Sequence, residues 1–425
     1  MNIGKIIIKD IKKLLPINRS ITGKGTLKTL VYYKNILNKL KIKKIKSGSK
    51  CFDWKIPLEW EIKDAWIKDE KNKKIVDFKK NNLHVVGYST KVNKIISKKN
   101  LLKNIYTIKH LPQAIPYVTS YYKKIWGFCI QYEKIKQFKE QKYKIFIDSK
   151  FKKGFLNYGE FLLKGKSKKE ILITSNICHP SMVSNELSGP TILIHLAKWL
   201  SKKKRKFSYR IILIPETIGS IMYINRNYDK LIKNIIGGYT LTCLGDNGPF
   251  SFIKTKDDSL TNYVTYKVLK KYKNKKIYSF LGRGSDERQF NSPGVNLSIG
   301  SLCRTKHSEY LEYHTSLDNL NLTSDKILQK SFDYVKECIL FFEKQSIFQT
   351  KIICEPFFSK RSKNINVSFN LKNKKINYKD QLDILAYMDG NKSLNQIRDL
   401  LEMPIQKFNL NVKILKKYNL IKKII

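Results

Sequence analysis

Short apolar runs alternate with longer amphipathic segments between about residues 141 and 345. The apolar runs predict four strands, at residues 171–178, 210–215, 239–244 and 295–299. The amphipathic segments predict helices at residues 188–200, after Gly219, at 260–272 and at 325–343, the last capped by Ser324. Strands that alternate with helices in this way favour an α/β domain with a mostly parallel sheet and helices on both faces.

The hydrophobic pattern changes on either side of this region. Residues 1–45 carry apolar positions at helical spacing, most clearly over 26–40, and we assign them with 141–345 to one α/β domain. Residues 46–140 are rich in aromatic and β-branched residues in short runs broken by prolines, which predicts an inserted β-rich domain. Residues 346–376 predict a linker with an edge strand, and three short helices with a terminal strand predict a winged helix over 377–425.

Composition adds a strong positive charge to this picture. The 425 residues include 84 Lys and Arg against 34 Asp and Glu, for a formal net charge of +50. The lysines are spread along the whole chain, so a general drift towards Lys, Ile and Asn explains them better than a dedicated polyanion-binding face does. Nucleic acid is therefore a less favoured partner, and either origin of the charge favours anionic ligands in a salt-dependent way.

The cysteines and the first residues bear on location. Seven cysteines are scattered singly and form no CxxC pair, which argues against a disulfide framework or a zinc finger. The opening residues have the pattern of an amphipathic helix rather than of a signal peptide, and no apolar stretch is long enough to span a bilayer. We expect a cytoplasmic protein without a membrane partner, and a homo-oligomer is left open.

Polar residues gather directly after the predicted strands. His179 follows the first, Glu216 the second and Asp246 the third, and the segments 284–288 and 312–318 come later. Ligands of open α/β sheets bind beyond the carboxyl ends of the strands, so these side chains are expected to converge. Histidines and carboxylates at such an edge predict a metal or acid–base pocket.

Zinc is the metal that this residue set suits best. His179 and His314 offer the nitrogen ligands, and Glu216 is either a ligand or the base that accepts a proton from water. Glu186 and Asp246 are the carboxylates offered as further ligands.

Several other pocket candidates also have plainer explanations. Asp286 and Glu287 lie in the Gly-Ser-Asp-Glu-Arg segment, where Asp286 has Arg283 and Arg288 as alternative partners. Glu186 follows Asn185 at a predicted helix start, where a carboxylate stabilises the helix dipole without any ligand.

Four more residues are assigned less specific roles. His307 is a pocket candidate or a solvated loop residue, and Asp318 either orients His314 or caps the following turn. His195 has the pattern of a helix interior and is assigned a structural role. Cys178, at a strand end, has no activating partner in the sequence and is assigned to the core.

The chain resembles an uncharacterised bacterial family that combines an aminopeptidase-like domain with a C-terminal winged helix. The resembling segments cover nearly the whole chain, at residues 15–23, 52–60, 83–89, 116–122, 126–129, 178–181, 186–190, 215–220 and 312–318.

More distantly, the core is similar to co-catalytic zinc aminopeptidases and glutaminyl cyclases. The resemblance implies that His179 is the first zinc histidine and His314 the last. Asn185 stands where those enzymes have an Asp that bridges two metals, and their Glu-Glu pair is reduced here to Glu216. Their third-strand Asp corresponds to Asp246 or is lost. A site this short of carboxylates implies one zinc ion rather than two.

These observations lead to one favoured function and two alternatives. The favoured function is a zinc-dependent hydrolase that cleaves an amide or peptide bond in a small or chain-terminal substrate. The alternatives are a single-zinc acyl transfer and a catalytically degenerate peptidase fold that binds or regulates through its winged helix.

Overall fold

The computed structural model describes residues 2–361 and 378–425. Its strands are β1 Lys41–Lys46, β2 Lys50–Cys51, β3 Trp54–Lys55, β4 Glu59–Lys68, β5 Lys74–Asp77, β6 Val92–Ser97, β7 Ile105–Tyr106, β8 Phe128–Cys129, β9 Lys142–Lys152, β10 Phe155–Leu163, β11 Glu170–Asn176, β12 Ser208–Ile214, β13 Ile235–Leu241, β14 Phe250–Ile253, β15 Lys275–Tyr278, β16 Ile299–Cys303, β17 Ile347–Thr350, β18 Asp389–Ser393 and β19 Ile421–Lys423. Its helices are α1 Ile3–Leu14, α2 Lys24–Ile36, α3 Lys98–Leu102, α4 Ser188–Leu200, α5 Ile218–Asn234, α6 Leu260–Leu269, α7 Glu287–Phe290, α8 Asp325–Glu343, α9 Tyr378–Ala386, α10 Leu394–Leu400 and α11 Ile405–Lys417.

An eight-stranded sheet forms the centre of the molecule, in the order β1-β10-β12-β11-β13-β16-β14-β15. Its four central strands, β12, β11, β13 and β16, are parallel, whereas β10 and β14 run antiparallel to their central neighbours. The α/β class predicted from the sequence is confirmed, and the sheet is mixed because antiparallel strands flank the parallel centre.

Both faces of the central sheet are buried under helices. Ile171 and Ile173 of β11 belong to a core shared with α1, α2, α4, α6 and α8, whereas Leu172 between them belongs to a second core that includes α5. Side chains of a strand alternate between the faces of a sheet, so β11, which is apolar over most of its length, supplies both cores.

The predicted positions of most central elements agree with the structure, but two strands are shifted: β13 begins at Ile235 rather than at residue 239, and β16 differs more. Residues 295–299 were expected to be a strand, but β16 begins only at Ile299. Asn296 and Ser298 adopt positive φ angles of 37° and 56°, which a regular strand does not allow. Strands β1, β10, β14 and β15 were not predicted, and the alternating lysines of β1 explain why that exposed edge strand has no apolar signature.

The β-rich unit reaches further along the chain than the sequence suggested. Its four-stranded sheet has the order β5-β4-β9-β6, and β9 ends at Lys152 rather than before residue 141. The unit buries its own core, which includes Ala65, Ile67, Ile145 and Ile147. Because β9 leads almost directly into β10, no composition change marks the boundary at 140.

The C-terminal unit combines α9, α10 and α11 with a three-stranded sheet in the order β18-β17-β19. Strand β17 lies in the segment expected to be a linker, but Phe348 packs in the core of this unit with Ile384 and Phe408. Ser393 forms a capping box with Gln396 at the start of α10. The remainder of the predicted linker, residues 362–377, lies outside the described residues, and the winged-helix identity stays a prediction.

Gly238, in the middle of β13, offers a sharp test of the sheet packing. It has φ +153°, and a Cβ built there would lie 1.8 Å from the carbonyl oxygen of Leu172 on β11. We expect Gly238→Ala to lower the free energy of unfolding by about 3 kcal/mol, because strain and a backbone clash combine. Gly294→Ala is the matched control, since Gly294 has φ +80° with nothing within 4 Å of a built Cβ. Equal losses in urea titrations of the two variants would contradict the clash.

Every helix in residues 2–361 and 378–425 is too short or too polar to cross a membrane.

Candidate functional site

The candidate site lies at the carboxyl ends of the parallel strands. His179 follows β11 by three residues and Glu216 follows β12 by two, and parallel pairing of these strands brings both to one edge of the sheet. His314 comes from the long connection between β16 and α8. The inserted β-rich unit reaches the same edge, because the backbone N–H of Tyr117 donates to the carbonyl of His314 over 2.8 Å.

His179 is fixed by a buried carboxylate. Its Nδ1 lies 2.7 Å from Oε2 of Glu186, and its backbone N–H donates to Oε1 of the same residue over 2.9 Å. Burial alone would lower the pKa of His179, but the charge and hydrogen bond of Glu186, together with the charge of Glu216, raise it. Glu186 was offered as a metal ligand, but both of its oxygens are engaged by His179, so it orients the ring and leaves Nε2 available.

Asp318 holds the turn that carries Asn185 and Glu186. Its carboxylate accepts three backbone N–H bonds, from Val183, Ser184 and Asn185, at 2.6–3.1 Å, and a fourth bond from the hydroxyl of Tyr310. Burial raises the pKa of Asp318 to about 6 although all four bonds favour its charged form. Asp318 was expected to orient His314 or to cap the following turn. In the structure its hydrogen bonds instead support the turn Val183–Leu187.

Glu216 faces the ring of His179. Its Oε2 lies 3.7 Å from Nε2 of His179, and its Oε1 accepts a hydrogen bond from the hydroxyl of Ser285 over 2.9 Å. Asn176 donates in turn to that hydroxyl over 3.0 Å. Ser285 thus fixes one oxygen of Glu216 and leaves the other directed to the imidazole.

His314 lies beside His179, as the predicted pocket requires. The two ring centroids are 5.2 Å apart, and the ring of Tyr117 packs edge-on against both, at 5.2 and 5.3 Å. Tyr313 stacks on His314 at 4.0 Å. Burial, followed by the neighbouring His179 and His307 rings, lowers the pKa of His314 to about 3. Its buried Nε2 has no hydrogen-bond partner, so a neutral ring with a free nitrogen is present.

Two further carboxylates are fully buried next to Glu216. Oδ1 of Asp286 accepts the backbone N–H of Thr217 over 2.8 Å, and Oε1 of Glu287 accepts the N–H groups of Gly284 and Ser285. Among the described residues, Oε2 of Glu287 has no hydrogen-bond partner, whereas the hydroxyl of Ser220 lies beside the Asp286 carboxylate and favours its charged form. Burial and the charge of Glu216 raise the pKa of Asp286 to about 8, and burial also raises that of Glu287. Neither pairs with Arg283 or Arg288, the alternative partners that the sequence offered to Asp286.

Asp246 and Asn185 have local partners rather than free ligand atoms. Asp246 accepts from the hydroxyls of Ser184 and Thr305 and from the N–H of Gly248, so both of its oxygens hold loops. The amide nitrogen of Asn185 lies 3.5 Å from Nδ1 of His179, on the Glu186 side of the ring. The structure therefore brings Asn185 to the site and uses Asp246, offered as a metal ligand, to position the turn above it.

The remaining candidates lie at the margin or in the core. His307 packs against Gly284, and burial with the nearby Lys306 charge lowers its pKa to about 4. Nε2 of His195 lies 2.7 Å from Oδ2 of Asp10, and this pair is not part of the site described above. Burial and the charge of Glu186 raise the pKa of the Cys178 thiol, which keeps it protonated.

Four site residues were not among the sequence candidates. They are Arg19, whose Nε donates to the carbonyl of His179 over 2.8 Å, the aromatic residues Tyr117 and Tyr313, and Ser285. Arg19, Tyr117 and Tyr313 lie in segments that carry the family resemblance, and that membership was the available signal. Composition and spacing gave no signal for these four residues, because their roles depend on contacts between distant parts of the chain.

Among residues 2–361 and 378–425, one group of three His, Cys, Asp or Glu residues has ligand atoms all within 4.8 Å of one another: Cys178, His179 and Glu186. We discount it as a ligand set because the thiol is protonated and Glu186 is bonded to the imidazole. The other candidate ligand atoms, Nε2 of His179, Nε2 of His314 and Oε2 of Glu216, are spread wider than that 4.8 Å limit. One carboxylate oxygen and two imidazole nitrogens are ligand types that suit zinc.

Comparison with known proteins agrees with this architecture. A protein of Clostridium acetobutylicum with the provisional description of a polysaccharide biosynthesis protein with aminopeptidase-like domain is 43% identical over 364 residues, which are 84% of this chain and 82% of its own. A crystal structure of a provisionally described peptidase from the same species aligns with TM-score 0.81 and 38% identity over 99% of this chain and 96% of that one.

A zinc aminopeptidase of Bacillus subtilis aligns with TM-score 0.58 at 13% identity, over 79% of this chain and 94% of that one, which shows a shared fold. The family model described as "Domain of unknown function (DUF4910)" matches residues 9–345, which include all candidate site residues. The chain therefore belongs to the DUF4910 family and has the zinc-aminopeptidase fold.

Proposed function

We propose that this protein is a zinc-dependent hydrolase that cleaves an amide bond in a short peptide or a small amide-containing metabolite. One observation supports the proposal: the imidazoles of buried His179 and half-buried His314 are neighbours, and Oε2 of Glu216, whose other oxygen is held by Ser285, lies 3.7 Å from Nε2 of His179. The fold is that of zinc aminopeptidases, and a buried acidic cluster behind the site favours a cation.

His179 and His314 would hold the metal through their Nε2 atoms. Zinc supplies positive charge for the carbonyl oxygen of the substrate and makes water more acidic. Glu186 accepts a hydrogen bond from Nδ1–H of His179, which leaves the lone pair of the ring on Nε2. The low pKa of His314 keeps that ring neutral at physiological pH.

Glu216 is assigned the proton transfer. Oε2 receives a proton from the attacking water and returns it to the leaving nitrogen, while Oε1 keeps its bond from Ser285.

Removing the support of His179 should weaken the metal site without abolishing it. We expect Glu186→Gln to lower zinc affinity by about 10- to 100-fold, since the amide is a weaker partner for Nδ1 and no longer fixes the tautomer. Competition with a fluorescent chelator measures the change. Glu355→Gln, at an exposed position, is the control, and an affinity equal to wild type in both variants would contradict the role of Glu186.

A substrate screen tests the hydrolytic assignment itself. Aminoacyl-arylamides, dipeptides and N-acylated sugars are incubated with zinc-loaded protein, and amine release is recorded beside the His314→Ala variant. We expect turnover of at least one class by wild type alone. Wild type that carries zinc and releases no amine from any of them would contradict the proposal.

A further inference from the structure

A small pocket adjoins the two-histidine site and contains a buried arginine. Its lining includes Arg19, Trp60, Tyr88, Tyr117, Thr119 and Tyr121. Tyr117 is shared with the site, because the other edge of its ring packs on both imidazoles. A group bound in this pocket would therefore lie one aromatic ring away from His179 and His314.

Arg19 has an unused donor at this pocket. The residue is 1% exposed, and two of its nitrogens donate to main-chain carbonyls, Nε to His179 over 2.8 Å and Nη1 to Leu14 over 2.7 Å. Its buried Nη2 has no partner among the described residues. The nearby carboxylate of Glu186 partly balances the charge of this guanidinium, but its recorded hydrogen bonds go only to carbonyls, so Nη2 is a buried donor that an anion could satisfy.

The aromatic walls restrict what can reach this donor. Trp60 and Tyr88 stack at 5.5 Å, and Tyr121 packs edge-on against Tyr88 at 5.3 Å. The indole N–H and the Tyr88 hydroxyl are bonded elsewhere, to Ser89 and Thr22. The free space is about 10 Å³, room for one water-sized group. The pocket therefore admits a single oxygen and excludes a bulky side chain.

We propose that Arg19 selects substrates that carry a carboxylate close to the scissile amide, one oxygen of which enters this pocket and accepts a bond from Nη2. A carboxylate is the anion whose single oxygen is small enough and charged enough for this donor. The positive charge of the chain favours the approach of such substrates. The inference rests on the proposed function for the position of the reacting amide, but its test requires binding alone.

The test compares two probes of equal size, N-acetylglycine and N-acetylglycinamide, by calorimetry on the full-length protein. Wild type is expected to bind the acid about tenfold or more tightly than the amide, the usual gain of a charge-assisted bond. Arg19→Lys retains the charge but cannot make the three bonds of the guanidinium at once, so the preference should fall to about one.

A second variant controls for misfolding of Arg19→Lys and for direct binding of the acid probe to a metal ion. Thr119→Leu fills the pocket without changing Arg19, and it should abolish the preference for the acid. If circular dichroism shows that Arg19→Lys does not fold, the result with Thr119→Leu tests the proposal by itself. Equal binding of both probes by wild type, or an acid preference that survives Thr119→Leu, would overturn the proposal. Protein that prefers the acid but hydrolyses no amide would uphold the pocket and reject the hydrolase.

Discussion

Replacing Glu216 with glutamine is expected to lower kcat for amide hydrolysis by about 10³-fold while zinc remains bound. Glutamine keeps the shape of the side chain and an oxygen for Ser285, but it cannot accept a proton at the atom that faces Nε2 of His179. Initial rates with the best substrate of the screen, paired with metal analysis of the same preparation, measure both effects.

The same variant separates the two roles that the sequence left open for Glu216. A base that is lost leaves the zinc content unchanged, whereas a ligand that is lost removes metal and activity together. Glu355→Gln, exposed and remote from the strand ends, serves as the control for surface charge. Activity within about threefold of wild type in Glu216→Gln would contradict proton transfer by this residue.

Replacing Arg210 with methionine is expected to lower the free energy of unfolding by about 3–5 kcal/mol at neutral pH. Arg210, on β12, is 6% exposed and donates to both oxygens of Glu170 and to Glu160, which also receives a bond from the hydroxyl of Tyr223. Removing the guanidinium leaves the Glu170 carboxylate without its bidentate partner and leaves Glu160 with Lys43 as its remaining counter-charge. Chemical denaturation followed by fluorescence measures the loss.

The pH dependence of this loss follows from Glu160. Burial would raise its pKa, but Lys43, Tyr223 and Arg210 outweigh burial and lower it. A carboxylate with a lowered folded-state pKa contributes stability above its unfolded pKa and loses that contribution as the pH falls through the folded value. The gap between wild type and Arg210→Met should therefore narrow below about pH 4.

A surface arginine provides the control for this variant. Arg226→Met removes an exposed guanidinium that donates to the carbonyl of Lys44 over 3.3 Å, and it should cost less than about 1 kcal/mol. A loss from Arg210→Met that is no larger than that of the control, or that grows at acid pH, would contradict the buried-network explanation.

The sequence was informative where chemistry follows a periodic element. His179 and Glu216 come immediately after apolar strands, so parallel pairing alone predicts that they meet, and the structure has the carboxylate oxygen 3.7 Å from the ring. Asp318 shows the opposite case. Its partners are backbone N–H groups of a turn more than 130 residues away, which no local pattern reveals.

Two of the predictions differ from the structure for the same reason. Strand β10 was not predicted because it follows the β-rich unit without a break, and its neighbour β1 is polar at the sheet edge. Glu186 was assigned as a ligand from its place in the chain, yet its bond to Nδ1 of His179 depends on how the turn after β11 folds back. Such contacts are fixed by tertiary packing rather than by local sequence.

The most direct measurement of the central claim is the zinc content of purified full-length protein beside His179→Ala and His314→Ala. About one zinc per chain is expected in wild type, and less than about a tenth in each variant, because each loses one of two imidazole ligands. His110→Ala, which removes an exposed histidine, should keep the wild-type content. Wild type that remains free of zinc after incubation with the ion, or zinc retained in both site variants, would contradict a shared metal at His179 and His314.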